Sequence, residues 1–417
     1  MKPGRFVPCV VVTLAGLMFL APNMAAQIVQ IGEMNTQQIR GLDLARTVIL
    51  MPGDILEEHG PYLPSFTDGY SDAAYTHELA KAIVARPGWT VVVFPQIPLG
   101  SQPVNRLGDK AAFPGSYPVR MATLRAVYMD LATELGEQGF RWIFLVHNHG
   151  APNHHKALTQ ASDYFHDVYG GTMVDLFGLE PVFRCCGSRE KALSAKQLAE
   201  DGYSIHAGAD EQSEILFLKP ELVPESYKSA PSLTGTNFAE LVGIAKGEGW
   251  PGYFGAPRLA TAALGALEFT RSSENLNATA LQILNGLDPR KIARWADEQE
   301  PEMKYDEAIE KREMDWLKKQ GGASRTGWIS DESCGSQHTK PGRADCVEKC
   351  WRGGASVGHP EWKPQRAVFV ADGDQAIWIV ENPEAVKKFP AMHVVITGKL
   401  DPAKKTIHVD TITAAAD

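Results

Sequence analysis

Glu57-Glu58-His59-Gly60-Pro61-Tyr62-Leu63-Pro64-Ser65-Phe66-Thr67-Asp68 follows the apolar run Thr47-Val48-Ile49-Leu50-Met51, which Pro52-Gly53 closes. A short β-branched and aliphatic run of this kind is a buried strand. The polar segment therefore starts at the strand's C-terminal end, the edge at which open α/β sheets bind their ligands. Glu57, His59 and Asp68 are delivered to that edge, and two carboxylates with an imidazole are the donor types that hold zinc, manganese or iron.

Working outward, the apolar spacing of Ala73, Ala74, Ala80, Ile83 and Val84 predicts a helix capped by Ser71 or Asp72 and ended by Pro87-Gly88. Trp89 to Phe94 is a second buried strand, and the Gly- and Pro-rich loop from Pro95 to Tyr117 is long enough to be functional or mobile. A helix from about Val119 to Gln138 leads to a third strand, Arg141 to Val146, and then to His147-Asn148-His149-Gly150-Ala151-Pro152-Asn153-His154-His155. Strands and helices alternating at this spacing predict right-handed βαβ units, an α/β fold with a mainly parallel sheet. His149 then occupies the same post-strand position as Glu57 and His59, and converging strand ends make a site. His154 and His155, with the isolated His77 and His166, are read as surface histidines. A further segment, Ser204 to Glu214, offers His206 and several carboxylates.

The amino terminus differs from the rest. Lys2 and Arg5 precede an uncharged run from Phe6 to Leu20 and the small residues Ala21 to Ala26, the pattern of a secretory signal peptide cleaved near Ala26. Without it the formal charge of -9 becomes about -11, because two cations and no anions leave. An acidic exported chain excludes nucleic acid as a partner, and membrane once the signal is removed. Cys185, Cys186, Cys334, Cys346 and Cys350 remain, an odd number. The last three, spaced Cys-x11-Cys-x3-Cys, lack a fitting fourth zinc ligand, so disulfide pairing among them is expected.

Together these segments resemble the creatininase (creatinine amidohydrolase) family. Its Glu-x-His-Gly-Pro-His-Leu-Pro segment ending in Thr-Asp is matched by Glu57, His59 and Asp68, its Asn-Gly-His-Gly-Gly-Asn segment by His149, and its His-Ala-Gly segment with a following Glu-Thr-Ser by His206 and Glu211. Phe113 to Ser116 and Phe254 to Arg258 also look like family segments, and the match runs from about residue 30 to 285. The chain departs from the pattern at His147, at the extra residue before Asn153, at Gln212 and at Glu58.

The resemblance implies a three-layer α/β/α fold and two divalent metal ions, zinc first with manganese or iron as alternatives. Glu57, His59, Asp68, His149 and Glu211 would be the ligands, with Asp68 bridging. It implies an enzyme that cleaves a non-peptide or cyclic C–N amide bond of a small molecule, using water activated between the metals. His206, at an imidazole's near-neutral pKa, would move the proton, and Glu211 would count both as ligand and in catalysis. A metal- or ligand-binding protein without catalysis, and a small-peptide peptidase on the same scaffold, are the alternatives. A homo-oligomer is expected.

The expected organisation is a signal at 1–26, the hydrolase domain at 27–289, a charged helical linker at 290–324, and a small β-rich domain at 325–417. In the last, Ala367 to Val370, Ala376 to Val380, His393 to Thr397 and Thr406 to Ile412 are short strands with turn signals between them. They predict a small barrel that resembles OB-like β domains.

Overall fold

The computed structural model describes residues 27–320, 324–355 and 358–415, so the expected leader lies outside the described residues. The chain forms two compact units, the first ending at Glu302 and the second starting at Met303.

The first unit is built on five parallel strands: β1 (Gln27–Gln30), β2 (Thr47–Pro52), β3 (Thr90–Val93), β4 (Trp142–Val146) and β5 (Thr172–Asp175), in the order β1-β3-β2-β4-β5. All six residues of β2 are buried, as a central strand covered on both faces requires. Alternate side chains leave it in opposite directions. Val48 and Leu50 join Phe144 and Val146 against Leu79, Ile83, Leu276 and Ile283 of the helices Thr67–Val84 and Ala262–Leu284. Ile49 and Met51 join Ile143 and Leu145 against Leu124, Tyr128, Leu158 and Phe165 of the helices Met121–Glu137 and Pro152–Tyr169. This is the expected three-layer α/β/α arrangement.

The strand order fixes where the site lies. The chain leaves β2 for β3 on one side and then crosses to β4 on the other, so the order reverses between β2 and β4. The segments after those two neighbouring strands, Gly53 to Phe66 and His147 to Ala151, open into the crevice where doubly wound sheets bind ligands.

Two local readings change. The first helix starts at Thr67, earlier than Ser71 or Asp72, because the Thr67 N–H and hydroxyl both bond the Pro64 carbonyl and close a turn there. Asp68 therefore sits in the helix's first turn, where exposed N–H groups favour an anion. His154 and His155 are not surface residues: Pro152 starts a helix that turns both inward, and each is fully buried.

The second unit holds the helix Lys304–Gln320 and a closed barrel of β6 (Arg325–Asp331), β7 (Ala367–Ala371), β8 (Ile377–Val380), β9 (His393–Asp401) and β10 (Thr406–Ala414). The barrel order β10-β8-β7-β6-β9 includes one short parallel pairing, β8 with β10, and antiparallel pairs elsewhere. Ile329, Phe369, Val394, Ile396, Ile407 and Val409 fill it. Four of the strands are the expected β-rich runs. The fifth, β6, is interrupted by Gly327 and carries four polar residues, which hide its period. Cys185 is bonded to its neighbour Cys186, whereas Cys334, Cys346 and Cys350 are free thiols, so the pairing expected among these three is not formed. Among the described residues no helix is long and apolar enough to cross a membrane.

Candidate metal centre

The centre begins where β2 ends. A Cβ on Gly53 would lie 2.1 Å from the His147 ring, so only glycine lets that imidazole pack on the backbone. The next residue, Asp54, is held at φ 95°, a conformation rarely adopted by a side chain larger than hydrogen. The surroundings hold it there: its carboxylate accepts the N–H groups of Ile55 and His149, both at 2.9 Å. Asp54 thereby ties the loop after β2 to the loop after β4. The Glu57 N–H donates to the Ser65 carbonyl at 2.9 Å and folds the segment back, so that Asp68 returns beside Glu57 and His59.

Asp68 stands at the middle. Its Oδ1 is 3.2 Å from His59 Nε2, and its Oδ2 is 3.4 Å from His149 Nδ1. On the first side Glu211 Oε2 lies 3.6 Å from the same His59 nitrogen, and on the second Glu57 Oε2 lies 3.0 Å from the same His149 nitrogen. Two donor sets thus meet at one carboxylate: His59, Asp68 and Glu211, and Glu57, Asp68 and His149.

The tautomers agree with this division. Close carbonyl partners assign His59 Nδ1–H to the Glu57 carbonyl at 3.2 Å and His149 Nε2–H to the Ser101 and Gln102 carbonyls at 3.2 Å. The nitrogen that bears the lone pair when the ring is neutral is in each case the one facing Asp68, the arrangement by which backbone acceptors orient metal-binding histidines. Glu57 Oε2, His59 Nε2 and Asp68 Oδ2 are buried and make no aligned hydrogen bond. Buried polar atoms without partners are rare, and these converge on common positions. The donor chemistry and its aim fit divalent cations. Glu211 is the most open of the five, its side chain 35% exposed against 8% or less for the other four.

His206 comes from the segment before the helix Ala209–Leu218. Its Nε2 lies 2.6 Å from the Glu58 carbonyl, its Nδ1 lies 4.0 Å from Glu57 Oε2, and its ring packs 4.2 Å from that of His59. Gly208 permits the tight approach to Ser204 beside it, since a Cβ there would lie 1.8 Å from that hydroxyl. Ala207 donates its N–H to the Glu211 carboxylate, which fixes that side chain.

The charges respond to one another. Burial disfavours ionised Asp68, yet His59 and His149 outweigh it and hold the carboxyl well below its usual range. Burial likewise works against ionised Glu57, and His149 with His206 again lowers it. Burial would lower His206, but Glu57, Glu58 and Glu211 push it up to about 10 in the metal-free protein, away from the near-neutral value expected from its type. Protons on imidazoles thus offset the carboxylates, a task that passes to cations when they bind.

Every residue expected at the site is brought to this point. Several others emerge only in the structure. Behind His149, Tyr128 Oη lies 2.8 Å from His147 Nε2, and His147 Nδ1 lies 3.1 Å from His154 Nε2. Burial lowers both imidazoles, His147 to about 3, so they are neutral. Asp72, pushed well up by burial and by Asp54, keeps its proton and shares it with Asp54, which is itself raised to about 6 by burial. Glu58 lies under His206 and against Gly252, whose φ of 98° and missing Cβ leave room for the carboxylate. Of these, Asp54 had a visible signal, an acidic residue directly behind a strand-ending Pro-Gly. His155 pairs with Asp175 at 2.6 Å, apart from these groups, and His77 is exposed.

Comparison with known proteins places these motifs. A family model described as creatininase, creatinine amidohydrolase, matches residues 32–279, more than half of the chain. Among solved structures, one described as "Creatininase Mn" is 17% identical, with 61% of this chain and 98% of that one covered and a TM-score of 0.47. A putative creatinine amidohydrolase from Bacteroides fragilis NCTC 9343 is 22% identical over 61% and 96% of the two chains, with a TM-score of 0.46. A mutant creatininase of Zn-Zn type is 18% identical over 61% and 98%, with a TM-score of 0.45. No curated protein matches.

Proposed function

Because the chain belongs to the creatininase family of metal-dependent amidohydrolases, we propose that it hydrolyses a non-peptide or cyclic C–N amide bond of a small molecule. Glu57, His59, Asp68, His149 and Glu211 would hold a pair of divalent cations. The observation that carries this reading is the division of Asp68, one oxygen to the His59 set and the other to the His149 set. Manganese and zinc are the metals named for solved creatininases, and the mixed nitrogen and oxygen donors here suit either.

When bound, such a pair lowers the pKa of a water and polarises the scissile carbonyl. The chain's own groups do the rest. Asp68 and Glu57 keep their charge because adjacent imidazoles and then cations favour it. His206, with Nε2–H committed to the Glu58 carbonyl, presents Nδ1 to the centre and passes a proton to the leaving nitrogen. Part-exposed Glu211 marks the side on which substrate enters, and Asp54, Asp72, His147 and His154 are buried behind His149.

The reading includes export, supported by Lys2 and Arg5 before the run Phe6 to Leu20 and the small residues up to Ala26. Mass spectrometry of protein from the native host is expected to find the chain starting near Gln27; a soluble cytoplasmic product that keeps Met1 refutes it.

The activity is tested by loading the full chain with zinc or manganese and assaying lactams, cyclic ureides, formamides and short peptides, with elemental analysis alongside. Turnover of a small amide with two cations at this centre is the expected result. Full loading without turnover of any amide would leave a binding protein, and turnover of peptides alone would leave a peptidase.

A further inference from the structure

The barrel unit gathers a second set of metal-type side chains that has no part in the chemistry above. Strand β6 ends in Asp331, which is fully buried. Its Oδ1 accepts the Cys334 N–H at 3.0 Å, and its Oδ2 lies 2.8 Å from Nδ1 of His338, itself buried. The short 3-10 turn Gly335–His338 carries that imidazole back beneath the strand end. Asp331, Cys334 and His338 each present a ligand atom within 4.8 Å of the other two.

The helix Ala344–Arg352 packs against the same end of β6, its Trp351 indole donating to the Ser330 carbonyl. It brings Cys346 and Cys350, four residues apart and therefore on one face. The Cys350 side chain lies beside Cys334 and Asp331, and Cys346 is near both thiols.

We propose that the barrel binds one further divalent metal ion of the zinc type through Cys334, His338, Cys346 and Cys350, with Asp331 orienting His338. The spacing Cys-x3-His-x7-Cys-x3-Cys supplies two pairs of ligands, one from the turn after β6 and one from the helix. Three thiolates and an imidazole form a closed tetrahedral set, the signature of a structural rather than a catalytic zinc. Asp331 on Nδ1 leaves Nε2 for the metal, the carboxylate–histidine arrangement found behind many zinc ligands. Binding releases the thiol protons to solvent and changes no oxidation state. The metal also ties the loop after β6 to the helix, a segment whose own apolar core is small, with Val347 the helix's one buried side chain among the described residues.

The test uses the full chain, freshly reduced, stripped with a chelator and loaded with cobalt(II). The sheet-edge centre offers only nitrogen and oxygen, so thiolate-to-cobalt charge-transfer absorption in the near ultraviolet reports the barrel alone. The expected result is that absorption in the parent and in Asp68→Ala, and its loss in the double variant Cys334→Ser/Cys350→Ser. With zinc, elemental analysis should show one metal fewer per chain in the double variant, and Cys334, Cys346 and Cys350 of the parent should be shielded from a thiol reagent until chelator is added. A parent without thiolate absorption, or with absorption unchanged in the double variant, overturns the proposal. So does protein from its host in which two of these cysteines form a disulfide. The parent spectrum and thiol count decide even where the double variant fails to fold.

Discussion

The two clusters show how differently a fold can collect metal ligands. At the sheet edge, three segments far apart in sequence meet behind β2, β4 and the loop before the helix Ala209–Leu218, and all donors are oxygen or nitrogen. In the barrel, every donor comes from the single short stretch between Asp331 and Cys350, and three of the four proposed ligands are sulfur. The first set leaves an open side at Glu211 and shares a carboxylate between two positions, as a site that must admit substrate requires. The second has four proposed ligands for one ion, which leaves no coordination position over for a substrate. Softness of donors, sharing and access therefore predict reactivity in one place and stapling in the other.

The sharpest way to break this contrast is Asp68→Ala. Removing the shared carboxylate takes one ligand from each position and leaves two cations unscreened from one another. We expect loss of both metals from the sheet-edge centre and of all measurable turnover, with the thiolate–cobalt absorption of the barrel intact. Elemental analysis of metal-loaded protein, matched by circular dichroism, is the check; full occupancy in the variant refutes the bridging role. Next in size is His206→Ala, which should keep both metals and lose roughly 10²- to 10⁴-fold in kcat, the usual worth of general acid–base help. A variant that loses metal instead would make His206 a ligand, which its place beside Glu57 and His59 permits.

The same contrast explains what could be read from the sequence. β2, β3 and β4 are unbroken apolar runs, so their ends, and with them Glu57, His59, Asp68 and His149, are legible. His206 and Glu211 follow no strand and stand out only through the resemblance of their motif. Asp54, His147 and His154 were not legible as a buried set, because their burial depends on Gly53 and on a helix that starts at Pro152 immediately after the loop. In the barrel the three cysteines were visible but their histidine partner was not: His338 joins them only because Asp331 is buried at the strand end and turns its ring. β6, broken by Gly327 and ending in Ser330-Asp331, gave no period to announce that end.

A smaller effect sharpens the barrel half. Asp331→Asn keeps the size of the group beside His338 and removes its charge. If Asp331 only orients the ring, zinc affinity should fall about 10- to 100-fold, the usual cost of a lost outer hydrogen-bond partner, without loss of the thiolate absorption at saturating cobalt. Competition with a chromophoric chelator measures it. Loss of the absorption at saturation would make Asp331 a ligand in place of one cysteine.

The smallest expected effect tests what a buried carboxylate does when no cation reaches it. Glu214 lies one turn beyond Glu211 in the helix Ala209–Leu218, and burial pushes its carboxyl up to about 8, with Glu268 and Glu211 adding to the rise against hydrogen bonds from Ser71 and Tyr75. The folded chain therefore holds a proton that the unfolded chain releases near its ordinary value of 4.5. Between these two values the native state binds more protons than the unfolded state, so this group's contribution to stability is fully present below the lower value and declines as pH rises to about 8. Glu214→Gln removes the titration and keeps the shape. In metal-free protein the variant should match the parent near the lower end of the window and gain on it steadily toward pH 8, by a few kcal/mol at most, since a tenfold change in proton affinity between the folded and unfolded chains is worth about 1.4 kcal/mol. Thermal midpoints of parent and variant taken in parallel across the window measure the difference, and a constant gap at every pH would show that Glu214 is already ionised in the folded chain.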